Sequence, residues 1–484
     1  MSNVTLKPLL LIPVENQVRE LDPKLLLACI AARRGFSSVI GSRQQLDFRI
    51  ASFPRGIYLS KSMTVRSIRM FKILRNLGHE IVAWDEEALV HLPPETYFSR
   101  RLSPKAMGYL SHLFAWGQDN VDLWQQYPQL PIQVPIHISG NPRNDMLRSE
   151  MHGFFKNNIA KLRHAYGDFI LVNTNFNHVN AFYPVQGLFL PLKKHGDKPK
   201  FGRSARGMTR KFAEGFRDHK LAIFEDFKAL IPCLERAFPN HMIVVRPHPT
   251  ERHDIYHEIA SQCERVRVTN EGNVIPWLMA AKALIHNGCT TGVEAYVMRV
   301  PTISYRATVN DYYDYGFYQL PNRLSHECLN FEQLRATLMK ILAGEIGAVD
   351  GNESKVLIDH HLAAINGPMA CERIVDIIEK IRAARSRLPE PSLINRMNGW
   401  SVATLRRLVK RLLSYLPDSH NRTEFHRHRY PGTSLDEVRG RVSRIKKALG
   451  DSSVSQVDQI SSEIFQISPQ ARGRNTSFQV GHTH

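Results

Sequence analysis

The chain has 484 residues, 43% of them hydrophobic, enough to bury two cores in two to three domains, while no apolar run approaches the about 18 to 20 residues of a membrane span. A formal net charge of +19 and a pI near 9.7 call for an acidic partner. The basic residues are spread along the chain without an RNP-type aromatic motif or a zinc finger, which argues against nucleic acid and leaves anionic sugar nucleotides, anionic glycans and the inner face of a bacterial membrane.

In chain order, residues 7–14 (KPLLLIPV) read as a strand that ends in Glu15, Asn16, Arg19 and Glu20. This start lacks the long apolar stretch and cleavage site of a secretory signal, so a cytoplasmic protein is expected. A helix over 21–34, begun by Asp22-Pro23 and stopped by Gly35, leads to a strand over 38–40. The order is that of a Rossmann-like unit, but GxGxxG is missing and no dinucleotide cofactor is expected. Glu15 and Arg19 at the first strand end are candidate substrate-binding residues, or the two halves of a helix-start ion pair. A helix over 62–77 and the strand EIVAW follow, and that strand ends in Asp85, Glu86 and Glu87. Carboxylates packed so closely raise one another's pKa and cost stability unless something uses them, which makes the triplet the catalytic candidate; a solvated acidic helix start is the alternative. Strands over 113–116 and 136–139 lead to the turn GNPRND at 140–145, and a helix over 151–166 crosses to a second domain.

That domain opens with a strand over 169–172 and the run NTNFNHVN, in which Asn173, Thr174, Asn175 and Asn177 hold phosphate or sugar hydroxyls, or merely form a turn. Residues 193–210 are basic and poor in apolar side chains, the pattern of a plain disordered insertion or of a mobile loop that closes over an anionic substrate, and 212–238 read as a helix broken or kinked at Pro232. Next comes MIVVRPHPTE, 242–251: a short buried strand stopped by two prolines, which leaves Arg246 and His248 at the carboxyl edge of a parallel sheet. A further strand over 283–285 meets a turn containing Asn287, then a helix start carrying Thr290, Thr291 and Gly292, where free N–H groups and the helix dipole bind anions. The alternative is a capping box between a threonine and Glu294. After a strand over 301–305 come the aromatic run 310–322 and helices over 331–344 and 368–388. Beyond Pro389-Glu390-Pro391, residues 396–417 space Leu405, Leu408, Leu412 and Leu416 helically among Arg406, Arg407, Lys410 and Arg411, a basic amphipathic helix for an anionic membrane surface or for docking on the body. The last 35 residues, rich in Ser, Gln and Gly, read as disordered. Six scattered cysteines without CxxC spacing indicate neither a zinc site nor a disulfide framework.

An HP motif after a strand, followed by a Ser/Thr pair at a helix start, resembles the nucleotide-binding half of bacterial sialyltransferases and of related transferases that use CMP-activated nonulosonic or octulosonic acids. The opening LLIPVENQVRELDPKLLLACIAARRG resembles the surface carbohydrate biosynthesis proteins, and the likeness extends over residues 8–343. The resemblance implies an α/β fold of two Rossmann-like domains in a GT-B arrangement, 1–150 for acceptor and catalysis and 151–390 for the nucleotide sugar, with a basic helical tail over 391–450 and a disordered one over 451–484. It implies transfer of an acidic sugar from a CMP-sugar donor to a bacterial surface polysaccharide or lipid-linked glycan, without cofactor or metal. Arg246, His248, Asn287, Thr290, Thr291 and Gly292 then hold the nucleotide phosphate. One of Asp85, Glu86 and Glu87 is the base or nucleophile; Glu86-Glu87-Ala88 matches the family's D/E-D/E-G motif with Ala88 for Gly, favouring Glu86, and Asp85-Glu86 is the other alignment. Open alternatives are a UDP- or CDP-linked donor of the teichoic-acid type and a non-catalytic, membrane-associated assembly factor.

Overall fold

The computed structural model describes residues 9–192, 199–314, 319–384, 390–416, 421–422, 426–427, 429–453 and 455–470. Residues 193–198 of the basic segment, 315–318 of the aromatic run and 471–484 of the tail lie outside them. Two units result: residues 1–88, 101–154 and 359–484 form the first, and 89–100 with 155–358 form the second.

The first unit is built on six parallel strands, β1 (Leu9–Val14), β2 (Ser38–Ser42), β3 (Gly56–Ser60), β4 (Glu80–Ala83), β5 (His112–Ala115) and β6 (Ile136–Ile138), in the order β2-β1-β3-β4-β5-β6. The apolar run of β1 is buried almost throughout, as a central parallel strand covered on both faces requires. The chain steps from β1 outward to β2 and then returns to β1's other side as β3, so the carboxyl ends of β1 and β3 flank a topological switch point, where open α/β sheets bind ligands. The first helix spans Gln17–Arg33, starting earlier than Asp22-Pro23 indicated, because Asn16 caps it by accepting from the Arg19 N–H and the Glu20 carboxylate accepts from the N–H groups of Glu15 and Asn16.

The second unit has six parallel strands, β7 (Phe169–Asn173), β8 (Met242–Arg246), β9 (Val266–Val268), β10 (Ala283–His286), β11 (Thr302–Tyr305) and β12 (His326–Cys328), in the order β12-β11-β10-β7-β8-β9. This is the Rossmann strand order, reversing between β7 and β10. One face of the sheet packs Val172, Val245, Ile285 and Ile303 against Phe224, Phe227, Ile231 and Leu234 of the Arg210–Ala237 helix. Each such side chain contributes about 1.5 to 3 kcal/mol of apolar burial. That helix continues through Pro232; its packing outweighs the missing hydrogen bond that was expected to break it.

The last described residues, up to 470, belong to the first unit. The Ala370–Ala384 and Leu435–Ala448 helices pack on Gln17–Arg33, and β13 (Ser455–Ser461) and β14 (Ile464–Pro469) form an antiparallel hairpin whose second strand joins β2. Residues 455–469 are therefore ordered sheet, contrary to the compositional reading. Val457, Ile464, Phe465 and Ile467 are buried among the polar residues, and Gly41 gives the hairpin room: a Cβ there would stand 2.0 Å from the Glu463 carbonyl oxygen.

Candidate functional site

At the switch point of the second unit, register aligns Asn173 of β7 with Arg246 of β8 on one side and His286 of β10 on the other. Asn173 and Asn287 are buried at the two diverging strand ends, and Thr291 lies in the first turn of the Thr290–Val297 helix that follows. Among the described residues, Asn173 Oδ1, both amide atoms of Asn287 and Thr291 Oγ1 are buried without a hydrogen-bond partner. Four such atoms in one place are costly, because an unsatisfied buried polar group costs about 1 to 3 kcal/mol. The capping box does not form: the helix N-cap is Cys289, which makes no side-chain cap. The helix thus begins beside the unsatisfied side chains without a side-chain cap, and its Gly292 N–H donates to the Cys289 carbonyl at 2.9 Å.

His286 shapes the turn. Its buried Nδ1 accepts from the N–H groups of Gly288 (2.9 Å) and Cys289 (3.2 Å), and its Nε2 meets Ser325 Oγ at 2.9 Å. Burial pushes its pKa down to about 3, so the ring stays neutral and Nδ1 remains an acceptor. Gly292 packs directly on this ring, where a Cβ would come within 2.6 Å of Nε2.

The remaining candidates of this unit separate. His248 Nδ1 accepts from the Thr250 N–H at 3.3 Å and meets Thr250 Oγ1 at 2.7 Å, which assigns the ring proton to Nε2. The buried Glu251 ties the β7 and β8 loops together by accepting from Thr174 Oγ1 (2.9 Å), the His248 N–H (3.2 Å) and Tyr256 Oη (2.6 Å). Asn175 and Asn177 flank the buried Phe176 and are partly exposed. Arg246, expected on phosphate, is engaged elsewhere: its guanidinium donates to the carbonyls of Glu271 (2.9 Å) and Gly272 (3.2 Å) and lies 4.8 Å from the Trp277 ring. Burial lowers its pKa to about 10, and it holds the loop after β9.

In the first unit, cations and carboxylates interleave at the ends of β1, β3 and β4. Glu15 accepts from Arg429 (2.6 Å) and Arg43 (2.9 Å) and lies 3.3 Å from Lys61 Nζ. Burial raises its pKa, but Lys61 and Arg43 more than offset this and hold it at about 2. It is the hub of an ion network with Arg429, Arg43 and Lys61, whereas Arg19, its expected helix-start partner, lies 3.6 Å from Glu87. Lys24 Nζ, fully buried, donates to Pro13 O at 2.7 Å and to Glu20 Oε2 at 2.8 Å.

The carboxylate triplet resolves into three environments, on a turn rather than a helix start. Asp85 is buried in a two-pronged pair with Arg101 and accepts the Glu87 N–H. Glu86 is buried as well; its Oε1 accepts from Trp84 Nε1 at 2.8 Å, Lys24 lies 3.9 Å away, and Oε2 has no hydrogen-bond partner. Glu87 alone of the three faces solvent, its side chain 54% exposed, with Arg19 at 3.6 Å. Surrounding protein raises its pKa, and Arg19, Arg101, Lys61 and Arg143 outweigh that and keep it ionised. Glu251, Lys24 and Lys61 are site features the sequence did not single out. Glu251 closes the MIVVRPHPTE motif and Lys61 directly follows β3, and those positions were the available signals.

No family model matches the chain, and none of the curated proteins matches it. Among solved structures it is similar to the wall teichoic acid polymerase TagF (TM-score 0.49, 10% identity, covering 80% of this chain and 91% of that one). It is also similar to MnaA of S. aureus in a co-structure with UDP (0.43, 12%, 79% and 99%) and to the UDP-GlcNAc 2-epimerase of Methanocaldococcus jannaschii (0.41, 11%, 77% and 99%).

Proposed function

We propose that the protein is a glycosyltransferase whose second unit holds a CMP-activated sugar at the ends of β7 and β10. The observation that carries this reading is the set of buried, unsatisfied atoms of Asn173, Asn287 and Thr291 beside an uncapped helix start. A nucleotide supplies partners for three of the four atoms: the Asn287 amide nitrogen and the Thr291 hydroxyl donate to its phosphate, the helix dipole adds attraction, and Asn173 Oδ1 accepts from a ribose hydroxyl. Charge that develops on the departing phosphate then meets donors already in contact with it.

In this reading the donor sugar is acidic, as the sequence resemblance implies, and the acceptor is a surface glycan. The cations Arg19, Lys61, Arg101 and Arg143 at the carboxyl edge of the first unit support an anionic substrate. Glu87, ionised and open to solvent, takes the acceptor's hydroxyl proton, while Asp85 and Glu86 hold the turn that presents it. A thermal-shift panel of CMP, CDP, UDP and ADP, followed by transfer assays with the matching sugar nucleotides, tests the proposal. CMP should give the largest shift; a shift only with UDP or CDP reassigns the donor, and no shift with any of the four overturns the reading.

A further inference from the structure

The Leu393–Leu413 helix is amphipathic, and its apolar side faces away from the protein. The side packed on the first unit is small and polar. Gly399 sits so close that a Cβ would stand 3.0 Å from Asn76 Cβ; Ala403 is buried; Arg406 pairs with the buried Asp47 at 3.5 Å; and Lys410 lies 5.9 Å from the Phe48 ring. At about 100° per residue these positions share one face. Ile394, Met397, Trp400, Leu405, Leu408 and Leu412 occupy the other, each 53% to 78% exposed, and Tyr415 and Leu416 continue the stripe. Arg396, Arg407 and Arg411 are exposed along the same helix. A helix docked on a soluble body normally turns its apolar stripe inward, so this one presents a surface to something else.

We propose that this outward face lies on an anionic lipid bilayer, with Trp400 and its aliphatic neighbours in the boundary between headgroups and acyl chains and the flanking arginines on the lipid phosphates. Charge complementarity selects this occupant: a stripe edged by arginines, on a chain of formal net charge +19, is attracted by an anionic surface and repelled by a second copy of itself. Tryptophan is the residue type enriched at that depth. Among the described residues no helix is long and apolar enough to cross a membrane, so the contact is a surface one. It stands whether or not the chain transfers a sugar.

The chain carries its own probe. Trp400 is 58% exposed, whereas Trp84, Trp116, Trp124 and Trp277 are 5% exposed or less, so a change in tryptophan emission on adding vesicles reports this face. Full-length protein is mixed with phosphatidylcholine vesicles with and without phosphatidylglycerol, and flotation and emission are measured. The proposal expects co-flotation and a blue shift only with phosphatidylglycerol, weakening at high salt, with the shift lost in Trp400→Phe. The double substitution Leu405→Asp with Leu408→Asp should lower the bound fraction at least tenfold without altering the circular dichroism spectrum or CMP binding. Absence of flotation and shift at low salt overturns the proposal. So does sedimentation showing a dimer that the double substitution dissociates, with vesicles unbound, which would make the face a contact between copies of the chain.

Discussion

Asn287→Leu separates what the site costs from what it does. Both amide atoms of Asn287 are buried without a partner at the end of β10, and Leu has the same branching and number of side-chain heavy atoms without polar atoms, although its methyl groups are bulkier. Removing an unsatisfied buried group should stabilise the ligand-free protein by about 1 to 3 kcal/mol. For a unit of this size that raises the melting temperature by about 2 to 4 °C per kcal/mol. The same change removes a donor to the nucleotide phosphate, worth about 1.5 to 3 kcal/mol, so CMP affinity should fall roughly tenfold to a hundredfold. Differential scanning calorimetry of the free protein and isothermal titration with CMP read the two effects. A lower melting temperature would mean that Asn287 is satisfied within the protein, and an unchanged CMP affinity would remove it from the site.

Gly292→Ala should destabilise by about 1 to 3 kcal/mol and weaken CMP binding, because the new Cβ meets His286 Nε2 at 2.6 Å and that ring is pinned by Ser325 and two N–H groups; the urea midpoint checks it. Acid should destabilise the second unit through two histidines with depressed pKa values: burial, with Lys220, Arg100 and His248 nearby, holds His178 at about 3, and burial alone does so for His286, against 6.5 when unfolded. Their stabilisation is fully present above pH 6.5 and is lost as pH falls from there toward 3. The loss is about 1.4 kcal/mol for each histidine by about pH 5.5, measurable by urea unfolding at that pH and near neutrality. Glu87→Gln should slow transfer by on the order of a hundredfold or more with CMP binding intact, and Glu86→Gln, which keeps the acceptor for Trp84, should be milder. Transfer rates under saturating donor compare the two, and full activity in Glu87→Gln moves the base to Glu86.

Parallel strands were the most legible part of the sequence. LLLIPV, FILVN and MIVVR are buried on both faces, so each reads as an unbroken apolar run with polar residues where the chain leaves the sheet. The same logic put Asn173, Asn287 and Thr291 at strand ends and a helix start on the sheet's carboxyl edge, which is where the structure has them. Side-chain direction was not legible. Arg246 occupies the expected position, but its guanidinium is drawn to Trp277 and to the carbonyls of the loop after β9, partners that sequence spacing does not reveal. The triplet shows the same limit, because only the Arg101 pair and the Trp84 hydrogen bond separate Asp85 and Glu86 from the exposed Glu87. Periodicity marked the Leu393–Leu413 helix as amphipathic, but which side meets the protein depends on Gly399 and Ala403 fitting closely against it. The β13–β14 hairpin was hidden because four buried apolar side chains are scattered through a Ser- and Gln-rich stretch.

The central claim, that a nucleotide phosphate satisfies the switch point of the second unit, is tested most directly by a crystal structure of the protein with CMP. The account predicts the phosphate at the N-terminus of the Thr290–Val297 helix, within hydrogen-bond distance of Asn287 Nδ2 and Thr291 Oγ1, with Asn173 Oδ1 facing a ribose hydroxyl. CMP bound at any other place, or these three side chains left unsatisfied with CMP at saturating concentration, would contradict it.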